Sequence, residues 1–204
     1  VDDVFEHVLA RIEEDLGKKP VQAALEAIWA SRSGLLQDEL LGIAKLAPSQ
    51  WAAIHNALDE SIYESAGKIN FGHDHLRKAV EDRYRISGKR KLKLHQRLAE
   101  WFSKREVDAR VAEELPWQWL RAQRKLELKE CLLKREMFAC LFDRSQYELL
   151  SYWHKLDADI ERELKLAWRQ WKRQWRPASN EVFDPVEKYL ANFLSAAGIY
   201  GRFT

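Results

Sequence analysis

The sequence predicts a mainly α-helical fold carrying one short β-hairpin. Two observations lead there. Apolar residues recur at helical spacing along most of the 204 residues, and the strand-like runs Ile62–Ser65 and Lys68–Phe71 flank Ala66-Gly67, whose glycine supplies the positive φ of a two-residue link.

Val4, Phe5, Val8, Leu9 and Ile12 form the apolar stripe of a first helix that ends near Leu16-Gly17, with Asp2 and Asp3 at its positive end. Pro20 suits the first turn of a second helix, where its missing N–H is no loss, and Val21, Ala24, Leu25, Ile28 and Trp29 form the buried face. Leu36, Leu40, Leu41 and Ala44 mark a short third helix. After Pro48, a fourth carries Trp51, Ile54, His55 and Leu58. The hairpin follows, then a helix with Leu76, Ala79, Val80 and Tyr84, and beyond Ser87-Gly88 another with Leu94, His95, Leu98, Trp101 and Phe102.

From Val107 onward only helical periodicity is found. Pro116 falls inside an apolar-periodic stretch, which predicts a kink or restart there. Val107, Val111 and Leu115, then Leu126, Leu128, Leu132 and Leu133, then Tyr147, Leu150 and Trp153 carry that periodicity. Ile160, Leu164, Trp168, Trp171 and Trp175 lie along one face of a long helix that Pro177 ends. Asp184-Pro185 opens a last full helix closed by Gly198, and Ile199–Thr204 reads as the start of a further one.

This order divides the chain into a helical lead-in (1–17), a compact module of three helices and a hairpin (18–86), an all-α spacer (87–176) and the opening of a tetratricopeptide-like or other α-repeat array (177–204). Three helices followed by a hairpin is the layout of a winged-helix domain, and paired helices at the far end fit the entrance to a solenoid.

Charge is balanced, with 34 basic and 32 acidic residues and a formal net charge of +2, so composition demands no polyanionic partner. The two cysteines, Cys131 and Cys140, form neither a disulfide framework nor a metal pattern and read as core thiols in a reducing compartment. No apolar run reaches the ~20 residues of a membrane span. A cytoplasmic location is expected, without membrane contact. The sequence opens on Val1 and its sole methionine is Met137, so a fragment of a longer chain is expected.

The most informative stretch is Phe71-Gly72-His73-Asp74-His75-Leu76-Arg77-Lys78-Ala79-Val80, where a His-Asp pair stands at the junction of hairpin and helix. Asp74 can cap the first turn. The plain reading of His73 is a hydrogen bond to a nearby carbonyl. The functional reading is a contact to phosphate.

Three segments carry a family resemblance: Ser31-Arg32-Ser33-Gly34-Leu35-Leu36-Gln37-Asp38-Glu39-Leu40, Phe71-x-His73-Asp74-x-Leu76-Arg77-x-Ala79-Val80 and Glu114-Leu115-Pro116-Trp117-Gln118. Over residues 1–140 the chain resembles the region that follows the nucleotide-binding core of STAND-type NTPases of the NACHT and NB-ARC kind. The resemblance implies a winged helix that folds back on an N-terminal P-loop module in its ADP-bound form and connects it to C-terminal repeats. It implies that His73 and Asp74 match the last two positions of a Met-His-Asp motif whose histidine contacts the ADP β-phosphate, with Gly72 in place of the methionine. ATP or ADP with Mg would belong to the parent protein, which would oligomerise on activation. Arg77, Arg83 and Arg90 are candidates for interdomain or phosphate contacts. A charge-assisted hydrogen bond of ~1.5–3 kcal/mol would bias such a switch, the domain interface supplying the rest.

The chain has no Gly-x-x-x-x-Gly-Lys-Ser/Thr loop and no acid ending an apolar strand. No enzyme activity, bound cofactor or metal site is therefore expected of the chain alone, and its histidines are too scattered for zinc. The rival readings are a winged-helix nucleic-acid-binding protein using the seven cations between Arg83 and Arg97, and an α-helical protein-interaction scaffold. Nucleic acid is disfavoured because the third helix of the module, Pro48 to Glu60, has no lysine or arginine. Trp168, Trp171 and Trp175, interleaved with cations, read as a packing seam.

Overall fold

The computed structural model describes residues 2–58, 61–174 and 184–198. The chain is mainly helical, and its residues cluster into two compact units. One holds the chain up to Lys104 together with Arg121–Gln123; the other holds Arg105–Leu120 and the chain from Arg124 onward.

The first unit is organised about α2 (Lys18–Ala30), which packs against α1 (Asp2–Leu16), α3 (Gln37–Ala44), α4 (Pro48–Leu58), α5 (Asp74–Arg83) and α6 (Gly88–Phe102). Gly17, at φ 87°, turns the chain from α1 into α2. Val21, Ala24, Leu25 and Ile28 are fully buried and Trp29 nearly so. Val21, Leu25 and Ile28 each stabilise by roughly 1.5–3 kcal/mol on burial. Ser31 closes α2, its hydroxyl donating to the Ile28 carbonyl at 2.7 Å and accepting the Gly34 amide at 3.1 Å. Glu39, fully buried, accepts the Leu36 amide at 2.9 Å and secures the start of α3.

Strands β1 (Ile62–Ser65) and β2 (Lys68–Phe71) pair antiparallel, Ile62 opposite Phe71 and Ser65 opposite Lys68. Ile62, Ile69 and Phe71 are buried. Beyond the expected hairpin, Leu35 and Ile69 exchange both main-chain hydrogen bonds, at 3.1 and 2.8 Å, which places a third short extended segment beside β2. Gly34 permits this approach: at φ 89°, a Cβ there would stand 2.7 Å from the Ile69 carbonyl oxygen. Gly42 does the same for α3 and α6, since its Cβ would meet the Trp101 indole nitrogen at 2.6 Å. The unit is therefore larger than the 18–86 module. It takes in α1, packed on α5, α2 and α4, and also α6.

In the second unit α7 (Ala109–Arg121) is capped by Asp108, which accepts the Val111 amide at 2.7 Å. It continues through Pro116 as one element, so of the kink or restart expected there the restart does not occur. The interruption falls instead in α9 (Arg135–Leu156), where Ser145 adopts φ −169°, ψ 104° and accepts the Glu148 amide, so that the second half of the helix starts from its own cap. Helix α8 (Lys125–Leu132), α10 (Ile160–Gln174) and α11 (Pro185–Ala196) all pack on α9.

Phe138 is the centre of that packing, its ring 5.4 Å from Trp171 and 5.6 Å from Phe193. Trp171 donates to the Leu133 carbonyl at 3.0 Å, tying α10 to the end of α8. Asp184 caps α11 through the Val186 amide and pairs with Arg135 at 2.7 Å. Trp168 and Trp171 are buried, as a packing seam requires. Not every position of the apolar pattern is buried: Val4 of α1 is 64% exposed, and in this unit Leu126 is 72% and Tyr147 76% exposed. Leu126 and Tyr147 lie on the solvent side of their helices, because the stripe that packs uses Leu128 and Leu132 in α8 and Leu149, Tyr152 and Trp153 in α9. Trp175, Pro177 and Ile199–Thr204 lie outside the described residues.

Gly34→Ala and Gly42→Ala each force a methyl into occupied space, and each should lower the unfolding free energy by about 1–3 kcal/mol. Urea unfolding followed by tryptophan fluorescence measures the loss. Gly34→Ala should be the more damaging, since it also strains a left-handed backbone against an immovable carbonyl.

Candidate functional site

The junction of β2 and α5 holds the His-Asp pair. His73 has an extended backbone, φ −141°, ψ 140°, and stands at the N-cap position of α5; its carbonyl accepts the Leu76 and Arg77 amides at 3.1 and 3.3 Å. Its imidazole is exposed and makes no capping bond. Asp74 is one residue further in than the expected cap. It lies in the first turn of α5, where a carboxylate still favours the helix dipole.

The three arginines expected to reach outward are engaged within the first unit. Arg77 donates from Nη2 to the Trp29 carbonyl at 2.7 Å, and its guanidinium lies 5.4 Å from the Trp29 ring centre. Burial pushes the Arg77 guanidinium below its ordinary pKa, Glu81 and Asp74 opposing. Arg83 makes a two-pronged bond with Glu13, Nε to Oε1 at 3.0 Å and Nη2 to Oε2 at 2.8 Å, and a further bond to Glu6 at 2.7 Å. It fastens α5 to α1. Arg90 bonds the Glu26 carboxylate, which is also the acceptor for Gln22 at 2.8 Å. None of the three is a free phosphate ligand, because a buried or half-buried carboxylate or carbonyl already takes each.

The same contacts divide the basic run of the nucleic-acid reading. Lys91 sits over the Trp29 ring at 5.3 Å, and burial pushes Arg97 down, with Glu26 opposing. Arg85, Lys89 and Lys93 remain as exposed cations. The outward positions of α4 are Ser49, Gln50, Ala52, Asn56 and Ala57, none cationic. A surface of that kind has nothing to neutralise a phosphate backbone.

The third sequence motif resolves into buried architecture. Glu114 and Gln118 are fully buried and bonded to each other at 2.9 Å, and Arg110 reaches Glu114 at 3.1 Å and Glu113 at 2.8 Å. Cys131 is buried, which pushes its thiol up to about 12; Cys140 is only half-buried. Among the described residues, no group of His, Cys, Asp or Glu could hold a metal ion, and no helix is long and apolar enough to cross a membrane.

Sequence reasoning overlooked Glu13, Glu26 and the central place of Trp29. Glu26 carries a legible signal, a lone acid within the apolar face of α2, which calls for a cation from elsewhere in the fold; Glu13 stands in the acidic run Glu13-Glu14-Asp15 and carries none. For Trp29 the cation contacts come from residues 48 or more positions away, and no local pattern announces them.

The chain is similar to stretches of longer proteins. It is 31% identical over 204 residues to a TPR repeat-containing protein of Dictyostelium discoideum, across 95% of this chain and 11% of that protein. It is 26% identical over 200 residues to human Nephrocystin-3, across 93% of the chain and 14% of that protein. Mouse Nephrocystin-3 is 29% identical over 169 residues, 76% of the chain and 12% of that protein. The chain thus spans only about an eighth of the length of these relatives. No protein-family model matches it, and no solved structure matches it.

Burial works to raise the Glu13 pKa, but hydrogen bonds from Arg83 and Tyr84 outweigh it and hold the carboxyl below its usual value. A carboxyl depressed in the folded state contributes stability above its unfolded pKa, about 4.3, and that stability is lost as pH falls through the folded value. Glu13→Gln should therefore be less stable than the natural chain at pH 7. The gap should close as pH drops below about 4, as read from thermal unfolding of both proteins across that range.

Proposed function

We propose that the chain is an α-helical protein-interaction scaffold, a connector within a much longer repeat-bearing protein. The observation that carries this reading is the shared helix α9. Helices α8, α10 and α11 each bury a face against it, so that neighbouring helices supply the core that none could form alone. The similarity to a TPR repeat-containing protein over nearly the whole chain supports the same reading. Partners in this role are other proteins and the flanking segments of the same parent. The chain by itself is read as non-enzymatic and as binding neither nucleotide nor metal.

Stacked helices open from their ends. Native-state hydrogen exchange should give α11 the lowest opening free energy in the second unit and the α8–α9 pair the highest. A single common value across α7 to α11 would mean one cooperative globule and would remove the reading.

A second reading is favoured by the first unit, in which α2, the Leu35 segment, α3, α4, β1 and β2 follow in the order of a winged helix, with Leu35 bonded to β2. On it, this unit latches a STAND-type nucleotide-binding module of the same parent, and His73, exposed at the start of α5, meets the phosphates of bound ADP. Asp74 would act through the first turn, while Arg77, Arg83 and Arg90 would hold the latch in shape. Mg and nucleotide would belong to the parent's module, and release on exchange to ATP would permit oligomerisation. The chain should then bind that module, supplied separately, more tightly with ADP than with ATP, and His73→Ala should weaken the ADP-dependent binding about tenfold. Equal affinity in both nucleotide states, measured by titration calorimetry, would refute it.

A further inference from the structure

The inner face of α10 is filled by Leu164, Ala167, Trp168 and Trp171, all buried. Its outer face has a different composition. Arg162, Lys165, Leu166 and Arg169 recur there at three- and four-residue steps and, with Asp159 and Glu161, line an open concavity of about 380 Å³. Leu166 is 48% exposed at its middle.

The acids of this lining are already committed. Asp159 accepts the Arg162 amide at 3.0 Å as the helix cap, and Glu161 pairs with Lys165 at 2.6 Å. Arg162 and Arg169 are exposed, and neither forms an ion pair among the described residues. Two uncompensated guanidinium groups therefore flank an uncovered leucine, and charge complementarity names an acidic occupant with an apolar side chain.

The spacing sharpens this. The arginines lie seven positions apart, about 10.5 Å along the axis, and in an extended chain only every second side chain faces the same way, so the same-face pair that brackets Leu166 is four residues apart, about 13 Å, a difference that the long arginine and glutamate side chains take up. We propose that the outer face of α10 docks an extended acidic segment of a partner protein, two carboxylates four residues apart reaching Arg162 and Arg169 and the apolar side chain midway between them, on the same face, resting on Leu166. The proposal rests on the scaffold reading and gives it a surface and a partner chemistry.

The test is fluorescence anisotropy of the whole chain against a short fluorescein-labelled Gly/Ser peptide containing Glu-Ser-Leu-Ser-Glu, with Lys-Ser-Leu-Ser-Lys and Glu-Ser-Asn-Ser-Glu peptides as comparisons. The chain should bind the first peptide at low salt and the other two at least tenfold more weakly or not at all. The double variant R162E/R169E, whose substitutions are on the surface and should leave the circular dichroism unchanged, should lose the acidic peptide by about tenfold or more and gain the lysine peptide. L166N should weaken binding several-fold without reversing the charge preference.

Equal binding to all three peptides overturns the proposal, as does an acidic-peptide affinity that R162E/R169E leaves intact. So does sedimentation showing that the face is covered by a second copy, or preferential binding of duplex DNA or anionic vesicles through the same arginines. The hydrogen-exchange order keeps the two levels apart. Silent peptides with stepwise opening remove this docking surface and leave the scaffold standing, whereas a single cooperative opening removes the scaffold itself.

Discussion

The placement of Trp29 at the end of α2 is the constraint on which the first unit depends. An indole that large fills the junction of three helices, and the groups around it do more than pack. Arg77 from α5 takes its carbonyl and lies over its ring, Lys91 from α6 lies over the ring as well, and His95 stands 5.9 Å away. One residue thus orients the helix that follows the hairpin and the helix that follows the loop. Because Arg77 is one turn from His73, the same contact sets where the imidazole is presented.

Ion pairs then fasten the periphery, and their value comes from geometry more than from number. Arg83 meets Glu13 with two parallel bonds and Tyr84 adds a third at 2.8 Å, so the α1–α5 seam is specific as well as attractive. Glu26 serves a comparable role between α2 and α6, with Arg90 bonded directly and Arg97 held by charge. Leaving a buried carboxylate unpaired is costly. Arg83, Arg90 and Arg97 are therefore the complement of acids placed earlier in the chain.

Much of the fold was legible because its determinants are local. The hairpin, its register and the start of α11 follow from residues within a few positions, and the structure has Asp184 capping and Gly198 at positive φ where those signals stood. At Pro116 the sequence offered a kink or a restart, and α7 continues through it as one element with the proline buried. Leu126 and Tyr147 misled because periodicity cannot tell which of two apolar edges meets a neighbour. The candidate site was half legible. His73 lies at the expected junction, whereas Arg77, Arg83 and Arg90 are claimed by Trp29, Glu13 and Glu26, partners that no sequence spacing could reveal.

Ser145 has a mechanical consequence. A rod of 22 residues would be stiff along its length, but the break gives it two shorter segments with a soft joint between them. If an array of such helices is pulled or bent, strain collects where the main-chain ladder is already interrupted. The flanking halves keep their internal bonds, the second starting from the Ser145 hydroxyl. Elastic compliance is thereby confined to one residue, and the surfaces that α9 offers to its neighbours can change angle without losing their shape.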